Sequence, residues 1–360
     1  MKFSFDNLAE IAPYGLSRSE KKELYRLALS ELTHSHYHRC QPYRHILDAY
    51  GHDPEKTYDP DEQPMLPVRL FKELELLSVP REKVAKLMTS SGTSGQAVSK
   101  IFLDGDNARS QSRVLARIIN SFIGPKRLPL LILDTEMVKR DRTMFSARGA
   151  GIVGFSTFGR DTAYALDENM ILDVDRLNSF MDKHIGETVL MFGYTSIIWQ
   201  HTLLEMEKKG LNFEMTDGIL FHIGGWKKLK DQAVDAQAYN EKVRDLFGQV
   251  RVHNYYGMAE QLGSVFVECE HGHLHCSVYS DVIVRHPENF STLGFGQRGL
   301  LELLSLLPDS YPGHVLLTED EGEITGEDDC PCGRLGKYFK IHGRIKGAEI
   351  RGCSDTYERR

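Results

Sequence analysis

The pattern of apolar and polar positions predicts alternating strands and helices in the middle of the chain. Continuous apolar runs are typical of strands that are buried on both faces, and they occur at 128–134, 187–193, 218–224 and 249–253. Helix-like stretches that are long enough for crossover connections lie between them, at 107–122, 173–184, 195–209 and 231–246. Because strand and helix alternate, we expect parallel strands in a mixed α/β fold.

The two ends of the chain differ from the middle. From 17 to 49 apolar residues recur at helical spacing among charges, which predicts a helical N-terminal region. From about residue 264 the apolar runs become shorter, as at 264–268, 280–285 and 313–318. We therefore expect the last part of the chain to be strand-rich.

Composition narrows the class of protein. The chain has 360 residues, of which 41% are hydrophobic and 26% charged, as is usual for a soluble globular enzyme. The net charge of -7 gives no reason to expect nucleic acid as a partner. The N-terminus lacks the pattern of a signal peptide, and we find no apolar run of about 20 residues, so we expect a cytoplasmic protein without a membrane span. Six cysteines are too few for a disulfide framework, which favours free or metal-bound thiols.

A short loop between 89 and 100 is rich in hydroxyl groups and glycine. Glycines let the backbone approach an anion, and exposed amides and hydroxyls donate to phosphate oxygens, as would be available from Ser90, Ser91, Gly92, Thr93, Ser94 and Gly95. Lys100 is placed to add positive charge. The loop lacks the Gly-Lys-Ser/Thr spacing of a Walker motif. Taken alone, its composition is also typical of a plain flexible connector.

Several segments nevertheless match one superfamily in the expected order. The sequence Ser90-Ser-Gly-Thr-Ser-Gly95 resembles the phosphate-binding loop of adenylate-forming synthetases and ligases. Four later segments resemble further motifs of that superfamily: Gly224-Gly225-Trp226-Lys227-Lys228, Asn254-Tyr255-Tyr256-Gly257-Met-Ala-Glu260, Thr318-Glu-Asp320 and Gly343-Arg344. The resemblance implies an α/β fold like the N-terminal domain of these enzymes, with ATP as substrate and Mg²⁺ as cofactor.

The resemblance also implies a role for each matched residue. The resemblance implies that a tyrosine of the segment 254–260 packs on adenine, and that Glu260 helps to hold magnesium at the phosphates. Asp320 would bind the ribose hydroxyls, and Arg344 would be the arginine of the interdomain hinge. The nucleotide site implied in this way comprises Ser90, Ser91, Gly92, Thr93, Ser94, Gly95, Lys100, Gly224, Gly225, Tyr255, Tyr256, Gly257 and Asp320.

Within the superfamily the chain resembles the acyl-protein synthetases, the LuxE-type component of bacterial fatty acid reductase, and it has features of phenylacetate-CoA ligases. The segments that carry this resemblance are Pro67–Lys72, Ser310–Asp320 and Ala348–Cys353. The resemblance implies that a carboxylic acid, here a fatty acid, is activated as acyl-AMP and transferred to Cys353. It further implies delivery of the acyl group to a reductase or carrier-protein partner.

The hinge-like segment is followed by very little chain. Only the seven residues 354–360 follow Cys353, so we expect the C-terminal swinging domain of larger relatives to be absent. Lys346 or Lys227 would then replace the lysine which that domain normally supplies. Nearby cations at Arg344, Lys346 and Arg351 favour a thiolate at Cys353. The alternative is an unreactive cysteine in a polar tail.

Two short segments predict a metal site in the strand-rich region. Cys269-Glu-His271-Gly-His-Leu-His275-Cys276 and Cys330-Pro-Cys332 together supply thiols and imidazoles, the ligands that tetrahedral zinc prefers. We predict a structural zinc held by Cys269, His275, Cys330 and Cys332, with Cys276 or His271 as substitutes in the first pair. The alternative is a pair of turns without a metal.

These predictions divide the chain into four segments. We expect a helical region at 1–80, an α/β nucleotide- and acyl-binding core at 81–263, a strand-rich subdomain with the zinc site at 264–342, and a hinge-like segment with a polar tail at 343–360. Two other functions remain open, a small acyl- or aryl-CoA ligase and a non-catalytic partner subunit with the same fold. The sequence does not identify the acid, the final acceptor, an aldehyde product or the oligomeric state.

Overall fold

A computed structural model describes residues 8, 10–90, 98–140, 147–226 and 233–345. The chain divides into two compact units. The described residues of the first, which we call the antiparallel unit, are 8, 10–90, 98–121 and 257–345. Those of the second, the parallel unit, are 122–140, 147–226 and 233–256. The antiparallel unit therefore combines the N-terminal helices with the strand-rich region, which the sequence analysis treated as separate segments.

The strands follow the predicted order along the chain. In chain order they are β1 Leu66–Pro67, β2 Val84–Thr89, β3 Lys100–Asp104, β4 Leu128–Thr135, β5 Gly159–Leu166, β6 Val189–Tyr194, β7 Met215–Ile223, β8 Gly248–Tyr256, β9 Phe266–Glu268, β10 Leu274–His275, β11 Ser280–Arg285, β12 Gly299–Ser305, β13 Val315–Glu327 and β14 Lys337–Arg344. The predicted runs at 128–134, 187–193, 218–224 and 249–253 correspond to β4, β6, β7 and β8.

The helices also match the apolar periodicity. They are α1 Arg18–Arg39, α2 Gln41–Tyr50, α3 Leu70–Glu73, α4 Gly105–Ile123, α5 Met137–Arg140, α6 Ala147–Ser156, α7 Val174–Lys183, α8 at 195–208 and α9 Ala236–Phe247. Short 3₁₀ turns lie at Pro60–Glu62, Arg81–Lys83 and Ala259–Gln261. Within the described part of the chain, no helix has both the length and the apolar character that crossing a bilayer requires.

The parallel unit is built on five adjacent strands in the order β8-β7-β6-β4-β5. Each neighbouring pair is parallel, which confirms the parallel arrangement predicted from the alternation of strands and helices. Every residue of β6 is buried, as expected for a central strand covered on both faces. Because all five strands run the same way, their carboxyl ends lie at one edge of the sheet.

The antiparallel unit contains the strand order β11-β12-β13-β14-β10-β9, with β1 parallel to β13. A separate hairpin is formed by β2 and β3. Helix α1 is attached to these strands by buried polar contacts. Lys21 Nζ donates to the carbonyl of Ser280 at 2.8 Å, and a ring nitrogen of His36 lies 3.2 Å from the carbonyl oxygen of Pro308. Such contacts stabilise the position of α1, because unpaired buried polar groups are costly.

Candidate functional site

The predicted phosphate loop lies between strands β2 and β3 in sequence. Thr89 pairs with Lys100 across the two strands, and the amide of Ser90 donates to the carbonyl of Ser99 at 3.2 Å. The amide of Ser99 donates in return to the Ser90 hydroxyl at 2.9 Å. Lys100 is exposed. The remaining loop residues, Ser91, Gly92, Thr93, Ser94 and Gly95, lie outside the described residues.

Two motifs that are distant in sequence end at the same edge of the parallel unit. Strands β7 and β8 are adjacent and parallel, with Ile223 opposite Tyr255. The Gly224-Gly225 turn follows β7 directly, and Tyr256 is the last residue of β8. Carboxyl ends of parallel strands are where ligands bind in open α/β sheets. The structure therefore places both predicted segments where such a fold receives a ligand.

The two tyrosines of the second motif have different environments. Tyr255 is buried, and its ring stacks on Phe155 with centroids 5.7 Å apart. Tyr256 is partly exposed, as is Gly257, which follows it. A side chain that packs on a ligand must be accessible, so Tyr256 is the better candidate for the adenine contact. Tyr255 instead contributes to an aromatic core beneath the strand ends.

Glu260 lies in the antiparallel unit, in the 3₁₀ turn Ala259–Gln261. It is only 3% exposed, which differs from an ordinary carboxylate at the surface. The next residue fixes the turn, because the Gln261 amide nitrogen donates to the carbonyls of Leu303 at 3.0 Å and Gly313 at 2.8 Å. A buried carboxylate on a rigid turn is costly to maintain for packing alone. Its position therefore favours a functional role.

The Thr-x-Asp segment and the hinge arginine meet across two strands of the antiparallel unit. Asp320 of β13 lies opposite Arg344 of β14, and Arg344 Nε is 3.3 Å from Asp320 Oδ1. The amide of Asp320 donates to the Thr318 hydroxyl at 3.1 Å, while that hydroxyl lies 2.8 Å from the carbonyl of Leu301. The structure thus brings together two residues that the sequence predicted from separate motifs. Lys346 and Cys353 lie outside the described residues.

Four predicted metal ligands converge in the antiparallel unit. One donor atom from each of Cys269, His275, Cys330 and Cys332 lies within 4.8 Å of every other. Cys269 Sγ is 3.9 Å from Cys330 Sγ, and Cys332 Sγ is 3.3 Å from His275 Nε2. Around a tetrahedral zinc these S···S and S···N separations would be about 3.8 and 3.5 Å. These two separations are close to those of ligands that share one zinc ion.

The turns that carry these cysteines have matching geometry. Gly272 and Gly333 each adopt positive φ, and their amides donate to the carbonyls of Cys269 and Cys330, both at 3.0 Å. The amide of His271 also points to Cys269 Sγ at 3.4 Å. Such amide contacts orient a thiolate and offset part of its charge. Neither Cys276 nor His271 contributes a side chain to the four-ligand group.

The electrostatics of the cluster suit a cation. Burial raises the pKa of Cys330 to about 12 and also raises the pKa of Cys269. Burial and the positive charge of Arg334 together lower the pKa of His275 to about 4, so the imidazole is neutral at pH 7. Burial opposes thiolate formation at Cys332, but hydrogen bonds from Arg334 outweigh it and lower that pKa. A metal ion would stabilise the thiolates that burial disfavours.

A second group of metal-binding residue types lies on the surface of the same unit. His34, His38 and Glu55 approach one another, with His34 Nε2 and His38 Nε2 at 3.2 and 3.5 Å from Glu55 Oε1. All three side chains are substantially exposed. Their contacts are those of a surface ion-pair cluster, which contributes little to stability. Burial therefore distinguishes the cysteine cluster from this one.

The sequence analysis missed one buried charged pair in the parallel unit. Arg148 of α6 and Asp134 of β4 are both fully buried, and Arg148 Nε donates to Asp134 Oδ2 at 2.8 Å. Asp134 lies near the carboxyl end of β4. Because burying an ion pair costs desolvation energy, this pair is a candidate for organising the strand ends. An aspartate directly after the apolar run at 128–133 was the available signal.

Comparison with solved structures identifies the class of fold. The crystal structure of 2-hydroxyisobutyryl-CoA ligase, in complex with 2-HIB-AMP and CoA, matches with a TM-score of 0.70 at 17% identity. The match covers 92% of this chain and 71% of that one. The fold is therefore that of the adenylate-forming ligases.

Comparison with sequences then identifies the family. The family model described as acyl-protein synthetase, LuxE, matches residues 4–360. The chain belongs to this family and is an AMP-forming acid ligase. Similar curated proteins are the long-chain-fatty-acid–luciferin-component ligases of Vibrio harveyi and Aliivibrio fischeri. The first is 26% identical over 95% of this chain and 89% of its own length, and the second is 24% identical over 95% and 90%.

Proposed function

We propose that this protein uses ATP to convert a fatty acid into acyl-AMP and then transfers the acyl group to the thiol of Cys353. The observation that carries most weight is the contact between Asp320 and Arg344. Two motifs predicted separately for the ribose and the hinge meet in register on adjacent strands. This is expected if the strands position a nucleotide.

Each described residue would act by position or charge. Asp320 accepts hydrogen bonds from the ribose hydroxyls, and Tyr256 provides a face for adenine. Lys100 and the loop that begins at Ser90 neutralise the phosphates, while Glu260 contributes a carboxylate ligand for magnesium. Magnesium, when bound, offsets negative charge on the departing pyrophosphate. The acid carboxylate attacks the α-phosphorus of ATP, which forms the mixed anhydride and releases pyrophosphate.

The second half-reaction would take place at the C-terminal thiol. The Cys353 thiolate attacks the acyl carbonyl of acyl-AMP, a thioester forms, and AMP leaves with the electron pair of the broken C–O bond. The family's description as acyl-protein synthetases supports a protein thiol as the acceptor. The names of the relatives support a long-chain fatty acid as substrate. The resemblance to the synthetase component of fatty acid reductase supports a reductase as the partner that receives the acyl group.

Exchange of labelled pyrophosphate into ATP tests the first half-reaction. We expect exchange that depends on an added acid, and a screen of fatty and aromatic acids should favour long-chain fatty acids. Absence of exchange with every acid would overturn the proposal and favour a non-catalytic subunit. Thioester formation only after addition of coenzyme A would instead favour a CoA ligase.

We further propose a structural zinc ion held by Cys269, His275, Cys330 and Cys332. The four donors come from two turns and from β10, so the ion would cross-link segments that are about 60 residues apart in sequence. Three cysteines and one histidine form a closed site typical of structural zinc. Arg344, at the far end of β14, contacts Asp320, so the cross-link would also stabilise the strand that leads to the hinge.

Replacing Cys330 with serine should remove the zinc and destabilise the protein. Elemental analysis of the purified wild type should give one zinc per chain, and the Cys330→Ser variant should lack it. Loss of the ion removes the cross-link between the two turns and β10, so we expect unfolding to become easier by on the order of 3 kcal/mol. The measurements are metal content and thermal unfolding.

Cys276, which follows the predicted ligand His275 in sequence, provides a matched control for this experiment. Cys276 is equally buried but lies outside the four-ligand group. The Cys276→Ser variant should therefore retain one zinc per chain. A wild-type protein without stoichiometric zinc, or equal zinc in both variants, would contradict the assignment.

A further inference from the structure

A buried threonine and histidine hold the glycine turn that follows β7. Thr195 begins α8 directly after β6, and His222 lies in β7, the adjacent parallel strand. The Thr195 hydroxyl oxygen is 2.8 Å from His222 Nδ1, 2.8 Å from the carbonyl oxygen of Gly224 and 3.2 Å from that of Ile223. Both side chains are less than a tenth exposed. Three polar groups therefore converge on one hydroxyl.

The hydrogen-bond chemistry of this group permits one assignment. A hydroxyl has a single hydrogen, and the carbonyls can only accept, so the hydroxyl of Thr195 donates towards Gly224. The nitrogen Nδ1 of His222 must then donate to the Thr195 oxygen. Burial, with the nearby His253, lowers the pKa of His222 to about 3, so its ring is neutral at pH 7. The ring is thus the neutral tautomer with hydrogen on Nδ1.

The Gly224–Gly225 turn, whose Gly224 carbonyl accepts the hydrogen bond from Thr195, is exposed on the side that faces away from Thr195. Gly224 has φ of 86°, a left-handed conformation that favours glycine, and it and Gly225 are exposed. A Cβ added at Gly225 would meet no atom of the described residues within 4 Å. The turn is therefore fixed from beneath through the Gly224 carbonyl, while its outer face is available to a ligand.

We propose that Thr195 and His222 are positioning residues for adenylation, which hold the Gly224–Gly225 turn of the predicted nucleotide site in the conformation that the reaction requires. This inference rests on the proposed function. Neither side chain needs to touch the substrate. The threonine fixes the turn, and the histidine fixes the direction in which the threonine hydroxyl donates.

Variants that keep or remove each hydrogen bond test the inference. Thr195→Val removes the hydroxyl at nearly constant volume, whereas Thr195→Ser retains it. His222→Leu removes the donor, whereas His222→Asn places an amide N–H near the position of Nδ1. In acid-dependent pyrophosphate exchange, we expect Thr195→Val and His222→Leu to lower kcat about tenfold, the order expected for one hydrogen bond. Thr195→Ser and His222→Asn should restore most of the rate.

Two further measurements separate positioning from general packing. Because Gly224 and Gly225 belong to the predicted nucleotide site, a displaced turn should raise KM for ATP as kcat falls, whereas KM for the acid should change less than about twofold. Because both residues act through one chain of contacts, the double variant Thr195→Val/His222→Leu should be no slower than the worse single variant.

Thr202 provides the control on the same helix. It is fully buried, and its hydroxyl has no hydrogen-bond partner among the described residues. Thr202→Val should leave kcat unchanged. Wild-type rates in Thr195→Val, or equal losses in Thr195→Val and Thr202→Val, would overturn the inference while the proposed function stands. A wild-type protein that fails to exchange pyrophosphate with any acid tested would overturn both the inference and the proposed function.

Discussion

Replacing Cys353 with serine should abolish covalent labelling of the protein by a radioactive fatty acid. With ATP, Mg²⁺ and the acid but no coenzyme A, the wild type should carry label on a denaturing gel, and hydroxylamine should remove it. The variant should carry none, because a serine hydroxyl is a much weaker nucleophile than a thiolate. Pyrophosphate exchange should continue in the variant, since formation of acyl-AMP precedes attack by the thiol.

The chemical state of the other cysteines decides which of them could be labelled instead of Cys353. Burial raises the pKa of Cys40 and Cys276, which keeps these groups as unreactive thiols, while Cys269 and Cys330 would be bound to the proposed zinc ion. Cys332 is the rival, because its pKa is lowered and its side chain is partly exposed.

The matched controls follow from this comparison. The Cys276→Ser variant should be labelled like the wild type. If Cys332→Ser loses the label and Cys353→Ser retains it, the acyl group is carried by the cysteine cluster and our assignment is wrong. If neither loses it, the protein does not acylate its own thiols at these positions.

Replacing Glu260 with glutamine should slow pyrophosphate exchange on the order of 100-fold, the scale seen when one electrostatic contact to a transition state is removed. The amide keeps the shape of the side chain but lacks the negative charge that binds magnesium. We therefore expect the concentration of Mg²⁺ needed for half-maximal rate to rise. Exchange rates measured over a range of Mg²⁺ concentrations check this prediction.

Stability measurements separate this effect from misfolding. Glu260 is 3% exposed, so thermal unfolding of the variant is measured beside exchange, and slow exchange at an unchanged unfolding temperature would separate loss of metal binding from loss of the fold. Glu288 is exposed, and Glu288→Gln changes net charge equally at a site away from the motifs. That control should exchange at the wild-type rate. A Glu260→Gln variant with normal exchange would remove Glu260 from the magnesium site.

The architecture followed from periodicity where the pattern was strong. Continuous apolar runs marked β4, β6 and β7 because these strands are buried on both faces over most of their length, whereas in β8 Gln249 and Arg251 are exposed. Strand β5 has the mixed sequence Gly159–Leu166, three exposed residues near its start and a positive φ at Asp161, so its pattern did not predict a strand. The π-helical turn at Ile198–Leu203 in α8 was also missed, because it arises from packing rather than from a local signal.

The residues of the candidate site also differ in how far the sequence could predict them. The cysteine cluster was predictable, because close pairs of thiols and imidazoles have few other uses in a chain with so few cysteines. The pairing of Asp320 with Arg344 depends on strand register, which the motifs alone do not specify. Thr195 and His222 carried no motif, and their relation appears only when β6 and β7 are placed side by side.

The position of Arg344 would limit the distance that the Cys353 sulfur can travel in the proposed transfer. Arg344 is held at Asp320, and the eight residues 345–352 separate it from Cys353. A fully extended peptide of that length spans roughly 30 Å. While the arginine stays in place, the proposed loading and unloading of Cys353 would both occur within about 30 Å of Asp320. A partner that accepts the acyl group under this proposal would therefore bind within that distance of Asp320.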